Sequence, residues 1–232
     1  MPRRDRLRAA TEAEIVTTAR ELLVEGGPAA VTVREVGRRM GMTASALYRY
    51  VDGLDGLVDR LAASFFDELT EALQDRLTGS GTADDAGVGE ALLTASRAFR
   101  DWCVAHPAEF ALMYGSGVHQ LESGCPRTEA AGGRFGQVFL GLLVDGLGRG
   151  AAAPPTTAPA GPDVFDVLPG PLGERFARAW VRLLGVVMVE VIGRLGHTGA
   201  DPEVVFEAEM ADCARDIVQV LQDQREGAPD RA

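Results

Sequence analysis

Apolar residues recur at helical intervals along most of the chain. Ile15, Ala19, Leu22 and Leu23 step by four, three and one, which predicts a first helix over 11–25. Thr11 opens it with Glu14 three residues on, a capping-box pattern, and Gly26-Gly27-Pro28 stops it. A second helix follows Thr32, with Val33, Val36, Gly37 and Met40 at i, i+3, i+4 and i+7. Gly41 comes at once as the turn residue. Thr43 then caps a short third helix over 44–50, which Asp52-Gly53 breaks. In that helix Leu47 and Val51 point inward, leaving Ala44, Ser45, Ala46, Tyr48 and Arg49 on the outer face.

A long fourth helix fits 54–77, with Leu54, Leu57, Val58, Leu61, Phe65 and Leu69 on its buried side. A polar, Gly-rich break occupies 79–89. Further helices are predicted over 90–106, 107–114, 128–147, 172–195 and 202–224, with Pro107 at the first turn of the second of these. The Pro, Gly and Ala content of 148–171 predicts a mobile loop with no packed structure of its own. No strand alternation of useful length and no internal repeat is present. The class is all-α, with about nine helices. A small N-terminal domain over residues 1–53, containing a helix-turn-helix, is expected to hand over to a larger helical domain over 54–232.

Charge sharpens this division. The whole chain carries −11, yet residues 1–50 hold nine Arg against six acids, and residues 51–232 hold 14 Arg against 28 acids. An acidic chain repels DNA, so a basic N-terminal segment marks the face reserved for it. Every basic residue is Arg, which is read as a compositional bias and not as a site.

Other features mainly exclude. Cys103, Cys125 and Cys213 are scattered and odd in number, which favours reduced thiols over a disulfide framework or a metal site. The N-terminus has no apolar core of a signal peptide, and no uncharged apolar run approaches the roughly 20 residues of a membrane span. A cytoplasmic protein with no membrane partner is expected. No Ser/His/Asp ordering, phosphate loop, HExxH or metal-spaced cluster occurs, so neither an enzyme nor a cofactor is expected.

The chemistry of VTVREVGRRMGMTASALYRYV fits a helix-turn-helix. The second helix of such a motif lies in the major groove with its N-terminal residues toward base edges. Small residues there let the backbone approach, and Ala44, Ser45 and Ala46 supply them. Ser45 can bond a base or a phosphate, and the Ala methyls can meet a thymine methyl. Thr32 and Thr43 stand at helix starts, where backbone N–H groups favour phosphate oxygens; the plainer reading makes them caps only. Tyr48 and Tyr50 offer hydroxyls, and Arg34 and Arg49 offer charge and bidentate geometry, although Tyr50 also suits half-buried packing. Arg38 and Arg39 read as a solvated helix face.

The segment from Thr11 through Leu61 resembles the DNA-binding region of the TetR family of bacterial regulators. Ala19 with Leu22-Leu23, Gly26-Gly27, VTVREV, GMTASALYRYV and a leucine-led fourth helix carry the likeness. Two departures stand out. Gly37 replaces the usual Ala, and the fourth helix begins VDGLDGL without the usual Lys. That Lys commonly meets a phosphate, and Asp52 and Asp55 repel one, which predicts reduced affinity or dependence on low salt. AFRDWCVAHPAEFALMYGSG, AWVRLLG and DPEVVFEAEM are similar to the effector domain of a TetR subgroup named for a Trp-His-Gly pattern. Here the counterpart reads Trp180, Leu184, Gly185, so the middle His is absent.

The resemblance implies a homodimer on a palindromic operator, more often a repressor, released when an unidentified small molecule binds. Two final helices with wide apolar faces fit a two-fold interface, with Val181, Leu184, Met188, Ile192, Phe206, Met210 and Ile217 as candidates; a protomer's own core is the competing reading. Trp102, His106, Phe110, Met113, Tyr114, Phe135, Phe139 and Trp180 are candidates for a mostly apolar ligand cavity, against ordinary packing. His119 is a further polar candidate there. The alternative function is a helical interaction or ligand-sensing module with little DNA binding.

Overall fold

The computed structural model describes residues 3–78, 85–114, 125–147, 168, 170–195 and 199–226. His119 and nearly all of the predicted loop over 148–171 lie outside these residues. Among the described residues the chain forms nine α-helices, one 3-10 turn and no strand. They are α1 (Arg3–Gly26), α2 (Val33–Arg39), α3 (Ala44–Leu47), α4 (Gly53–Leu77), α5 (Asp85–Ala105), α6 (Pro107–Tyr114), α7 (Pro126–Leu147), α8 (Gly170–Val191) and α9 (Pro202–Glu226). None is long and apolar enough to cross a membrane.

Several helix ends differ from the predicted ones. α1 begins at Arg3 and not at Thr11. Thr11 caps nothing: its Oγ1 donates to the Leu7 carbonyl at 3.0 Å, the back-bond of a Thr inside a helix. The turns ahead of it, RRDRLRAA, are built from strong helix formers, and Arg8 pairs with Glu12 four residues on. The Gly-Gly-Pro stop is followed by a 3-10 turn, Pro28–Ala30, with the proline at its first position. α3 closes at Leu47; residues 48–50 continue as a tightened turn in which Arg49 N–H donates to Ala46 O and Tyr50 N–H to Leu47 O. α5 starts at Asp85, inside the predicted Gly-rich break. α8 starts at Gly170 with Pro171 in its first turn, and ends at Val191 before Gly193.

The contacts divide the chain into two compact units. The first holds residues 1–67 and 106–131: α1, α2, α3, the start of α4, α6 and the start of α7. Its core is Ile15, Ala19, Leu22, Leu23, Val36, Leu47, Val51, Leu57 and Leu61, all buried. Arg20 on α1 donates from Nε to Glu109 Oε1 on α6 at 2.8 Å, and its guanidinium lies 5.3 Å from the Phe65 ring centre. Asp59 on α4 is buried and caps α7, accepting from Thr128 N–H at 2.9 Å. The second unit holds residues 68–105 and 132–232, in which α5, α8 and α9 pack on one another. Arg97 and Arg100 on α5 make two-pronged ion pairs to Glu207 on α9 and Glu190 on α8, each with contacts of 2.7–2.8 Å. Arg182 on α8 pairs with Glu209 on α9.

Candidate nucleic-acid interface

α2 and α3 are short, and their ends are closed by bonds the sequence provides for. Thr32 Oγ1 accepts from Glu35 N–H at 3.1 Å, and Thr43 Oγ1 accepts from Ala46 N–H at 3.2 Å. Between them, Gly41 adopts φ 67°, donating to Arg38 O, while Met42 N–H donates to Gly37 O at 2.8 Å. These are the two bonds of a Schellman turn, and the left-handed residue in it is best served by glycine. Gly37 has its own steric reason: a Cβ there would lie 3.1 Å from the Met42 carbonyl oxygen. The glycine at this departure from the family pattern thus lets the turn sit close on α2. Thr43→Ala is expected to cost about 1 kcal/mol of stability, the usual worth of such a cap, measured by chemical denaturation.

The caps and turn fix which side chains face outward. Thr32, Arg34, Thr43, Ala44, Ser45, Tyr48 and Arg49 are exposed, while Ala46 and Tyr50 are half-buried. Leu47 is fully buried against the first unit's core. Tyr48 is 56% exposed, which leaves much of its ring and hydroxyl open to solvent. Arg34 and Arg49 make no ion pair among the described residues. Arg38 and Arg39, by contrast, are committed to carboxylates. Arg38 holds Glu35 through two bonds, at 3.0 and 2.6 Å, and Arg39 reaches from α2 to Glu25 on α1 at 3.0 Å. These hydrogen bonds hold both glutamates below the usual carboxylate range.

The ligand-cavity candidates fall on both units. His106, Phe110, Met113 and Tyr114 belong to the first, where Tyr114 packs 5.2 Å from Phe110 and 6.1 Å from Phe66, ring centre to ring centre. Trp102, Phe135, Phe139 and Trp180 belong to the second. There Phe135, Phe139 and Trp180 form one aromatic cluster with centres 5.6–5.9 Å apart. Phe99 and Phe176 complete it, at 6.0 Å from Trp180 and 6.3 Å from Phe139. Sequence reasoning missed these two, although Phe176 stands four residues before Trp180 on one helix face. Beside the cluster is a cavity of about 30 Å³ lined by Ser96, Phe139, Phe176, Trp180, Met210 and Cys213 among others. Burial pushes the Cys103 and Cys213 thiols up.

The interface candidates divide by burial. Phe206, Met210 and Ile217 are buried within their own protomer and serve its core. Leu184 and Met188 are half-buried. Val181 is 68% and Ile192 59% exposed. With exposed Gly185 and Val189 they run along one side of α8 at steps of four, four and three, while Leu183 and Val187 on the other side are buried.

The family description "Bacterial regulatory proteins, tetR family" matches residues 15–61, and "Tetracyclin repressor-like, C-terminal domain" matches residues 92–213. The HTH-type transcriptional regulators Rv1816 of Mycobacterium tuberculosis and Mb1846 of Mycobacterium bovis are each 29% identical over 230 residues, covering 89% of this chain and 92% of theirs. The crystal structure of regulatory protein SCO4313 superposes with a TM-score of 0.66 at 27% identity, covering 92% of this chain and 98% of that one. The TetR family regulator PfmR of Thermus thermophilus shares the fold, with a TM-score of 0.54 at 18% identity, covering 87% of this chain and 97% of that one. Two matched regions that take in the helix-turn-helix and more than half of the chain, on an all-helical fold, place the protein: it belongs to the TetR family of transcriptional regulators, DNA-binding proteins and not enzymes.

Proposed function

We propose that this regulator works as a homodimer in the cytoplasm, that α3 of each protomer reads one half-site of a palindromic operator, and that a small, mostly apolar ligand releases it. The observation that carries the DNA half is the outer face of α2 and α3. Small and hydroxyl residues at the start of α3 are exposed, beside an exposed tyrosine and two arginines, Arg34 and Arg49, that make no ion pair among the described residues. Ala44, Ser45 and Ala46 approach base edges. Arg34, Tyr48, Arg49 and Tyr50 contact the phosphate backbone. Thr32 and Thr43 serve both as caps and as phosphate donors: each hydroxyl oxygen accepts the cap bond, and its proton donates to a phosphate.

Dimerisation rests on α8. A stripe of Val181, Gly185, Val189 and Ile192 open to solvent is costly in a lone protomer, and a second copy related by a two-fold axis covers it. Two half-sites also require two recognition helices. The release step rests on the aromatic cluster. A cavity of about 30 Å³ holds roughly one water, whereas ligand sites run to about 300–1,000 Å³. A ligand taken up there must therefore move α5, α7, α8 or α9 apart. That supplies the differential binding between two conformations that release requires.

Tyr48→Ala is expected to weaken binding to a selected operator duplex by about tenfold or more, equivalent to ~1.4 kcal/mol, while leaving the thermal unfolding curve unchanged. Fluorescence anisotropy and circular dichroism on the full chain check both halves. Unaltered affinity would remove Tyr48 and this placement of α3. The competing reading, a helical module with little DNA binding, draws on Asp52 and Asp55, both exposed at the start of α4. It predicts no sequence-selective binding even at low salt.

A further inference from the structure

The acidic start of α4 leaves open what replaces its missing phosphate contact, and the opposite end of α1 offers an answer. Arg3, Arg4, Arg6 and Arg8 are all exposed on the first two turns of α1. Arg3, Arg4 and Arg8 line one groove with Thr11, Arg49 and Tyr50, and no carboxylate lines it. Arg3, Arg4 and Arg49 have no ion pair among the described residues. The groove therefore joins the start of the chain to the residues that follow α3.

A network within the first unit fixes this junction. The Arg8 guanidinium lies 5.6 Å from the Tyr50 ring centre, and its Nε donates to Glu12 at 3.0 Å. Glu12 also pairs with Arg60 of α4 at 3.5 Å, and Arg60 Nη2 donates to the Tyr50 carbonyl at 2.9 Å. Each of α1, the turn after α3, and α4 is tied to the other two. The arginine turns are thus held in register with α3 instead of trailing as a free arm.

We propose that this groove is a second contact with the DNA backbone, taking phosphates next to those met by α2 and α3. It rests on the reading that α3 meets DNA. Guanidinium groups in a groove without carboxylates suit phosphate oxygens, which they can bind two-pronged. The contact carries no sequence information: Arg3 and Arg4 act on the backbone and set affinity and salt dependence. The match to the family's DNA-binding region begins at residue 15, so these turns lie ahead of it.

The test compares the full-length protein with R3Q/R4Q and with R49Q, a substitution on the other wall of the groove. The probe is a duplex recovered from a random-sequence pool by the unsubstituted protein. Affinity is measured across a salt series, with circular dichroism confirming that each variant melts as the parent does. For R3Q/R4Q, the slope of log affinity against log salt should become shallower by about 0.9 for each phosphate that is no longer neutralised. The ranking of point-changed duplexes should not alter. R49Q should flatten the slope in the same direction. The proposal is overturned if R3Q/R4Q keeps the parent slope, whatever R49Q does, because Arg49 also meets a phosphate beside α3, or if R3Q/R4Q changes the sequence ranking instead of the slope. Failure of the parent itself to recover any sequence would defeat the reading of α3 as well, so the two failures are distinguishable.

Discussion

Replacing both Val181 and Val189 with aspartate is expected to leave a folded monomer whose operator affinity is lower by a factor of about 10² to 10⁴. Val181 is 68% and Val189 36% exposed on α8, and neither belongs to the protomer's buried core. In a two-fold interface each residue comes near its own equivalent or that of a close neighbour. Four carboxylates would then be buried together without partners, a cost that association cannot offset. The affinity loss follows from the arithmetic of linked sites: once one recognition helix is bound, the second binds at high effective concentration, and a monomer forfeits that gain. Sedimentation velocity gives the oligomeric state, circular dichroism the fold, and anisotropy the affinity. A double variant that remains a dimer would move the interface elsewhere.

Phe99→Ala should have the largest effect on stability, about 3–5 kcal/mol by the usual cost of truncating a buried aromatic ring. Phe99 is fully buried and packs on Phe135 and Trp180 with ring centres 5.9 and 6.0 Å away. Removing it leaves a void among rings that are themselves held by α7 and α8, so collapse is limited. At about 2–4 °C per kcal/mol for a chain of this size, the melting temperature should fall by roughly 10 °C. The void is apolar and should take up a benzene-sized solute, which partly restores the melting temperature. A shift of only one or two degrees would mean that the cluster is loosely packed already.

The sequence was most legible where local chemistry decides structure. The caps at Thr32 and Thr43, the glycine turn at Gly41 and the inward Leu47 all depend on a few neighbouring residues, and each takes the predicted place. The start of α1 was less legible because Thr11 satisfies a capping pattern equally well inside a longer helix, where its hydroxyl turns back to Leu7. The groove of Arg3, Arg4, Arg8 and Arg49 was invisible for a related reason. Its walls lie about 40 residues apart in sequence and are joined by Arg8 over Tyr50 and by the Tyr50–Arg60–Glu12 network. The same holds for Asp59, whose capping of α7 from α4 joins residues 69 positions apart. In α8 the sequence shows a wide apolar face. The protomer buries one side, at Leu183 and Val187, and leaves Val181, Val189 and Ile192 uncovered. Periodicity states how wide an apolar face is, and only packing shows which part the protomer itself covers.

The central claim is that the exposed face of α2 and α3 reads DNA as part of a dimer. Its most direct test is selection of duplexes from a random-sequence pool by the purified full-length protein at low salt, followed by measurement of stoichiometry and affinity across a salt series. The predicted result is enrichment of a two-fold symmetric sequence, bound by two protomers, with affinity falling steeply as salt rises. Recovery of no sequence, or binding that is equally tight to every duplex in the pool, would contradict it.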